Sequence, residues 1–157
     1  YAPSAGSRQG ARLVVCQDAE VNRRLGRINR DAFRSKYPAG NSVSADQPSI
    51  ADDEAMLDGF YGAPTVVTLF APSGHQYAVH DCCVAAENMM LAAHALGLGS
   101  CMVGRAEATF AGAAEQALLR QWGLGGDAEA KVHVVLGYPA DRAATVKPRK
   151  DGRVIRV

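Results

Sequence analysis

The sequence predicts a single domain of mixed helix and strand, in the α/β or the α+β class. Its length of 157 residues fits one domain, and its 48% hydrophobic and 21% charged residues are ordinary for a packed chain. Short apolar runs rich in Val alternate with longer segments whose apolar residues recur at helical spacing. The predicted order is strand, helix, helix, strand, long helix, strand, helix, strand and tail.

The first strand and helix are predicted between residues 11 and 34. The apolar run "ARLVVC" at residues 11–16 is typical of a buried strand, and Asp18 then follows as a helix cap. Four apolar residues share one face of that helix: Val21, Leu25, Ile28 and Ala32. The arginines around the rest of the helix form either a solvated face or a basic rim that attracts an anionic substrate: Arg23, Arg24, Arg27, Arg30 and Arg34.

A second helix and a central strand are predicted after a polar loop. Residues 36–49 are rich in Pro, Gly, Ser and Asp, which is typical of a loop. The stretch "SIADDEAMLDGF" indicates a short helix with Ser49 as its cap and acidic residues in its first turn. The β-branched run "APTVVTLFA" at residues 63–71 then predicts a central strand.

The longest helix is predicted near residues 80–97, within "VHDCCVAAENMMLAAHALG". Apolar residues occupy most of its circumference, so we expect it to be buried, and Gly97 ends it. His80, Glu87 and His94 recur every seven residues, which places them about 10 Å apart along the axis. That separation is too large for one metal ion, so we interpret them as a polar stripe that lines a subunit contact.

The C-terminal half is predicted to hold two further strands, a helix and a terminal strand. Residues 100–105 form a short strand or bend, and residues 107–123 form a helix that Gly123 ends. In the strand "KVHVVLGYP" at residues 131–139, Val132, Val134 and Leu136 share one face, and His133 and Val135 share the other. The basic tail is expected to end in a strand at residues 153–157.

Composition and motifs exclude several function classes. A net charge of +1 gives no general attraction to nucleic acid or to anionic membranes, and no apolar run is long enough to span a bilayer. The four cysteines lack zinc-site spacing, which indicates a reduced, cytoplasmic protein without a metal. Adjacent Cys82 and Cys83 point about 100° apart on a helix, so they read as two small buried residues rather than a disulfide.

Two further motifs, a glycine-containing stretch and a basic stretch, each have a simpler structural interpretation. The glycines of "ALGLGSCMVG" lie between a helix and a strand, which is the wrong order for a dinucleotide-binding turn. The basic stretch "VKPRK" at residues 146–150 is either a surface patch or a phosphate clamp, since Arg and Lys both bind phosphate.

Four stretches together resemble the FMN-dependent nitroreductase family, in the same order along nearly the whole chain. "APSAGSRQ" is similar to that family's "APSxxNxQ" loop, and "GAPTVVTLFA" is similar to its central strand. "AAENMMLAAHALGLGSCMVG" resembles its long helix and the turn that follows, which is the most specific match. "LGYPA" followed by "KPRK" resembles its last core strand and its phosphate-binding tail.

The resemblance implies an α+β three-layer sandwich, with helices on both faces of a mainly antiparallel sheet. It implies a homodimer with FMN at the interface between the subunits. The residues implied to bind the cofactor are Pro3, Ser4, Ala5, Ser7 and Gln9 of one subunit, Met102, Val103 and Gly104 on the other side, and Lys147 and Arg149 at the phosphate. No catalytic acid or base is implied, because the flavin carries the chemistry.

The sequence departs from the family's pattern at its first residues. Ser7 stands where the family usually has Asn, and its side chain has a shorter reach and no amide group. "Gln-Gly-Ala-Arg" replaces the usual Gln-Pro-Trp. The family's initial helix and its Arg-rich phosphate motif are not in the sequence, so the resemblance leads us to expect a preceding segment in the native protein.

The function implied by the resemblance is an NAD(P)H-dependent oxidoreductase. The nicotinamide nucleotide would deliver hydride to FMN and leave, and a nitroaromatic, a quinone or a similar small-molecule acceptor would then take the electrons. The alternatives are a family member that holds flavin or another ligand without turnover, and a structural dimer with no cofactor.

Overall fold

The computed structural model describes residues 2–37, 39–40, 52–140 and 148–157. Within these ranges, four strands form one sheet: β1 (Arg12–Cys16), β2 (Thr65–Pro72), β3 (Gly99–Val103) and β4 (Ala128–Gly137). Their order across the sheet is β1-β2-β4-β3, and all three neighbouring pairs are antiparallel. β2 and β4 are therefore the interior strands, which confirms the predicted central position of β2.

Helices cover both faces of this sheet. They are α1 (Ala19–Lys36), α2 (Ala78–Ala95), α3 (Ala106–Thr109) and α4 (Ala113–Gln121), and a single 3₁₀ turn, Ala5–Ser7, precedes β1. One core cluster joins α1 and α4 to the sheet through Leu25, Leu119 and Phe70. A second cluster joins α2 to the opposite face through Cys82, Ala86 and Val134. The predicted α+β three-layer sandwich is thus confirmed.

Capping and side-chain alternation position these elements as the sequence predicts. The Asp18 carboxylate accepts hydrogen bonds from the backbone N–H groups of Glu20 and Val21, at 2.9 and 3.0 Å, and so begins α1. Leu25 on the predicted apolar face is buried, and Val132 and Val134 pack toward α2 while Val135 packs toward α1. Among the arginines of α1, Arg24 pairs with Glu115 of α4 at 3.2 Å, which ties the two helices together.

The helix predicted over residues 49–60 is wrong for the residues that the structure describes. Residues 52–60 form turns instead, and Ser49 lies outside the described ranges. The carboxylate of Asp53 accepts from the N–H of Ala55, and that of Asp58 accepts from the N–H of Phe60. Such short-range bonds offer the backbone an alternative to a helical turn, which is why acidic residues here do not start a helix.

Three other expectations need correction. The helix predicted over residues 107–123 divides into α3 and α4, because the backbone is extended at Gly112. A Cβ at this position would collide with the carboxylate of Glu115. Residues 153–157 are exposed and form no strand. The long helix α2 is buried on one face only, since Val79, Val84 and Leu91 on its other sides are exposed. No helix in the described parts of the chain is long and apolar enough to cross a membrane.

Candidate cofactor site

The loop of residues 3–9, called here the N-terminal loop, is shaped by Ser4. Its carbonyl accepts the N–H of Ser7 at 3.0 Å, and its hydroxyl oxygen accepts the N–H of Gln9 at 2.9 Å. Ser7 and Gln9 both have left-handed backbone conformations, with φ of 55° and 52°. Such conformations cost a side-chain-bearing residue about 1–3 kcal/mol and cluster at ligand-binding positions. The Ser4 bonds therefore hold a strained loop whose Pro3, Ser7 and Gln9 side chains face solvent.

Asp81, in the first turn of α2, ties this loop to the rest of the fold. Its Oδ1 accepts the backbone N–H of Ala5 at 2.9 Å, and its Oδ2 lies 3.1 Å from Nε2 of His75. The Ala5 N–H is the main reason that the pKa of the Asp81 carboxyl lies below its usual value, and the His75 hydrogen bond acts in the same direction. Apart from an acidic residue near the helix start, nothing in the sequence pattern indicates this role.

A cavity of about 650 Å³ lies between the N-terminal loop and residues 72–77. Ala5, Gly6 and Arg8 line one side of it, and His75 and Tyr77 line the other. Its volume is within the range of small-molecule sites. Of the predicted cofactor residues that the structure describes, only Ala5 belongs to its lining.

The predicted residues 102–104 lie at the end of the edge strand β3. Met102 is 37% exposed, Val103 is buried and Gly104 is exposed. A Cβ added to Gly104 would meet no atom within 4 Å, so open space adjoins the backbone there. Within the described residues β3 pairs only with β4, so the other edge of its backbone is open to a ligand. The Gly104 carbonyl is turned inward, where it accepts from Nδ2 of Asn29 at 2.8 Å.

The two predicted groups lie at opposite edges of the sheet and at different levels along its strands. Arg12, just after the N-terminal loop, pairs with Phe70, and Phe70 pairs with Ala130 near the start of β4. Val103 pairs with His133 of the same strand. Three strand spacings of about 4.8 Å separate β1 from β3, or roughly 14 Å. The chain alone therefore does not bring both groups against one another.

The structure describes only one of the two residues predicted to bind the phosphate of the cofactor. Arg149 is exposed on the tail, and Lys147 lies outside the described residues. The available hydrogen-bond donors are the guanidinium of Arg149, the hydroxyl of Ser7, the amide of Gln9 and the open backbone edge at residues 102–104. This donor set fits a flavin nucleotide, because the ring presents hydrogen-bond acceptors along one edge and the phosphate is an anion.

Other groups singled out in the sequence are placed as follows. His80, Glu87 and His94 are all exposed on α2, and the four cysteines are free, with Cys82 buried. Burial raises the pKa of the Cys82 thiol to about 11, so it is a packing residue and not a thiolate. Within the described ranges, no three His, Cys, Asp or Glu side chains are grouped closely enough to hold a metal ion.

Comparison with known proteins places the chain in a family. The model of the Nitroreductase family matches residues 1–138, and since this is most of the sequence, the chain belongs to the nitroreductase family. None of the curated proteins compared with the chain matches it.

Solved structures share the fold over the full chain. A nitroreductase with bound FMN from Bacteroides fragilis is 26% identical with a TM-score of 0.77, and the match covers 100% of this chain and 81% of that one. A nitroreductase with bound FMN from Desulfitobacterium hafniense is 22% identical with a TM-score of 0.75, covering 99% and 80%. An iodotyrosine deiodinase bound to FMN and 3-iodo-L-tyrosine is 18% identical with a TM-score of 0.70, covering 99% and 79%. The latter two similarities concern the fold alone.

Proposed function

We propose that this protein is an FMN-dependent oxidoreductase that uses NAD(P)H to reduce nitroaromatic, quinone or related acceptors. The observation that carries the proposal is family membership over residues 1–138, together with the full-length similarity to the FMN-bound nitroreductase of B. fragilis. The open donors of the N-terminal loop and of residues 102–104 support it, because they fit a flavin.

The cofactor is held in this proposal by residues of two chains. Pro3, Ser4, Ala5, Ser7 and Gln9 contact the ring from one subunit, and Met102, Val103 and Gly104 offer backbone groups from the other. Lys147 and Arg149 bind the phosphate. The spacing of roughly 14 Å between β1 and β3 supports this division, because a homodimer places a second copy of each group beside the first.

The chemistry requires little acid–base work from the protein. When bound, FMN supplies hydride acceptance from NAD(P)H and onward electron transfer to an acceptor that enters after the nicotinamide has left. The protein binds and orients both substrates at one face, and its N–H donors and Arg149 stabilise negative charge. For a quinone, NAD(P)H and one proton yield NAD(P)⁺ and the hydroquinone, and the proton comes from water.

The proposal is tested by anaerobic titration of the FMN-loaded protein with NADH or NADPH, followed by a quinone or a nitroaromatic. We expect the yellow absorbance to bleach with the nucleotide and to recover with the acceptor. Double-reciprocal plots of the steady-state rate should be parallel, as the two substrates never occupy the site together.

A different outcome would point to a different function. Stable FMN binding without bleaching by either nucleotide would favour a non-catalytic flavin holder, for which the shorter Ser7 side chain gives some reason. Failure to bind FMN at all would contradict both functions and leave a structural dimer.

A further inference from the structure

A hydrogen-bonded series of buried polar side chains lies next to the C-terminal end of β3. It runs from Thr68 on β2 through His133 on β4 and Thr109 on α3 to Asn29 on α1, and all four side chains are buried. Thr68 Oγ1 lies 2.8 Å from His133 Nδ1, and His133 Nε2 lies 3.4 Å from Thr109 Oγ1. Asn29 Nδ2 donates to Thr109 Oγ1 at 2.9 Å, which completes the chain.

The hydrogen bonds of this series converge on the hydroxyl oxygen of Thr109. Thr109 donates its hydroxyl proton to the carbonyl of Arg105 at 3.0 Å, so its oxygen acts as acceptor toward both Asn29 and His133. His133 therefore carries its proton on Nε2 and accepts from Thr68 at Nδ1. The side chains thus form an ordered relay of contacts from the central strand to α1.

Asn29 is the member that reaches the proposed flavin site. Its two N–H groups serve Thr109 and the carbonyl of Gly104, at 2.9 and 2.8 Å, and its Oδ1 accepts from the guanidinium of Arg105 at 3.2 Å. Arg105 has a left-handed backbone with φ of 63°, which a side-chain-bearing residue adopts only when its surroundings impose it. Asn29 binds the backbone carbonyl of Gly104 and the side-chain guanidinium of Arg105, and so restrains the orientation of this turn.

A second buried asparagine on α1, Asn22, has a structural role and provides a comparison with Asn29. Asn22 is 4% exposed and Asn29 is 0% exposed, and both donate from Nδ2 to backbone carbonyls. Asn22 donates to Cys16 and Pro64, at the end of β1 and before β2, which is the opposite end of the sheet. The two residues are thus a matched pair that differs in distance from the proposed site.

We infer that Asn29 is a positioning residue for the flavin, which holds residues 102–104 and the turn at Arg105 in the orientation that binds the ring. This inference rests on the proposed function. Asn29 does not touch the cofactor in this account. It acts through the Gly104 carbonyl and the Arg105 guanidinium, and Thr109 and His133 hold its amide in place.

The experiment compares Asn29→Ala with Asn22→Ala in the full chain. Both variants lose a buried amide, so we expect similar falls in thermal midpoint. Asn29→Ala should raise the FMN dissociation constant at least about tenfold. Asn22→Ala should leave it within about twofold of the parent value. Hydrogen exchange of the apo protein should become faster in residues 99–105 for Asn29→Ala only.

Each outcome decides between the accounts. Equal losses of FMN affinity in the two variants, or no loss in Asn29→Ala, would overturn the inference while the parent's FMN binding left the proposed function standing. A parent that takes up no FMN would overturn the proposed function and this inference with it. If Asn29→Ala does not fold, Asn29→Asp replaces it, because the carboxylate has the shape of Asn but no N–H for Gly104. An unchanged FMN affinity in Asn29→Asp would also overturn the inference.

Discussion

His133 is a titratable residue in the middle of the core. Its ring is fully buried between Phe60 and Phe110, at centroid distances of 4.8 and 6.2 Å. Burial is the main cause that lowers its pKa to about 3, and the nearby positive charge of Arg105 lowers it further. The imidazole therefore stays neutral at physiological pH, and the hydrogen-bond chain through Thr109 to Asn29 keeps one arrangement.

This pKa predicts a specific loss of stability in acid. Below pH 6.5 the unfolded chain binds a proton at His133 that the folded chain refuses until about pH 3. The free energy of unfolding should thus fall across this window, by up to about 1.4 kcal/mol per pH unit. Denaturant unfolding of His133→Gln against the parent isolates this term, because Gln can still donate and accept. Identical pH profiles for the parent and for His133→Gln would contradict the prediction.

For single residues, the sequence predicted the face on which a side chain lies better than the distant residues that it contacts. It placed His133 on the opposite face of β4 from Val132 and Val134, and the core confirms that alternation. It gave no sign that His133 would meet Thr68 and Thr109, since those residues are 65 and 24 positions away. Contacts between distant segments depend on the packing of the whole sheet, which local patterns do not contain.

The N-terminal loop is an element whose position depends on one distant carboxylate. Asp81 accepts from the Ala5 N–H across a separation of 76 positions in the sequence. Gly10 at the end of the loop packs on Pro72, where a Cβ would lie 3.4 Å from the ring. The loop thus moves with α2 and with the end of β2 rather than independently.

Removal of that carboxylate should release the loop. Asp81→Ala leaves the partly buried Ala5 N–H and the His75 ring without their acceptor, which costs about 1–3 kcal/mol of stability. We expect faster hydrogen exchange in residues 3–9 and roughly tenfold weaker FMN binding. Glu20→Ala, exposed in the first turn of α1 and outside both the loop and the proposed subunit contact, is the control. Unchanged exchange in the loop would show that Ser4 alone holds it.

Helices and strands were predictable where capping and periodicity agreed. Asp18 and the apolar spacing after it predicted α1 correctly, since both signals act within one or two turns. The acidic stretch before β2 predicted a helix that is not formed by the described residues, because Asp53 and Asp58 cap turns and not a helix. Exposed residues 153–157 are rich in β-branched side chains, yet a strand needs a partner edge, and none is present among the described residues.

At the scale of the whole molecule, one face of α2 lacks a covering element among the described residues. His80, Val84, Glu87, Leu91 and His94 follow one another at spacings of four and three, so they share this face, and all are exposed. A mixed face of this kind suits a subunit contact, which is the role that the sequence predicts for the stripe of His80, Glu87 and His94. It supports the proposed homodimer, in which each site is completed by two chains.

A charge on that face should weaken the dimer. Leu91 is 59% exposed in the single chain, and Leu91→Lys would bury an unpaired ammonium group at the proposed contact. Analytical ultracentrifugation should show a dimer for the parent and a shift toward monomer for Leu91→Lys. Gln121→Lys on α4, on the opposite side of the sheet, adds the same charge and should leave the dimer intact. A monomeric parent would contradict the two-chain site.

A visible absorbance spectrum decides whether this chain is a flavoprotein. The protein is purified, incubated with excess FMN, separated from free FMN by gel filtration, and its visible spectrum is recorded against protein concentration. We expect the two flavin bands at a ratio close to one FMN for each chain. A colourless protein that retains no FMN would show that the chain is not a flavoprotein.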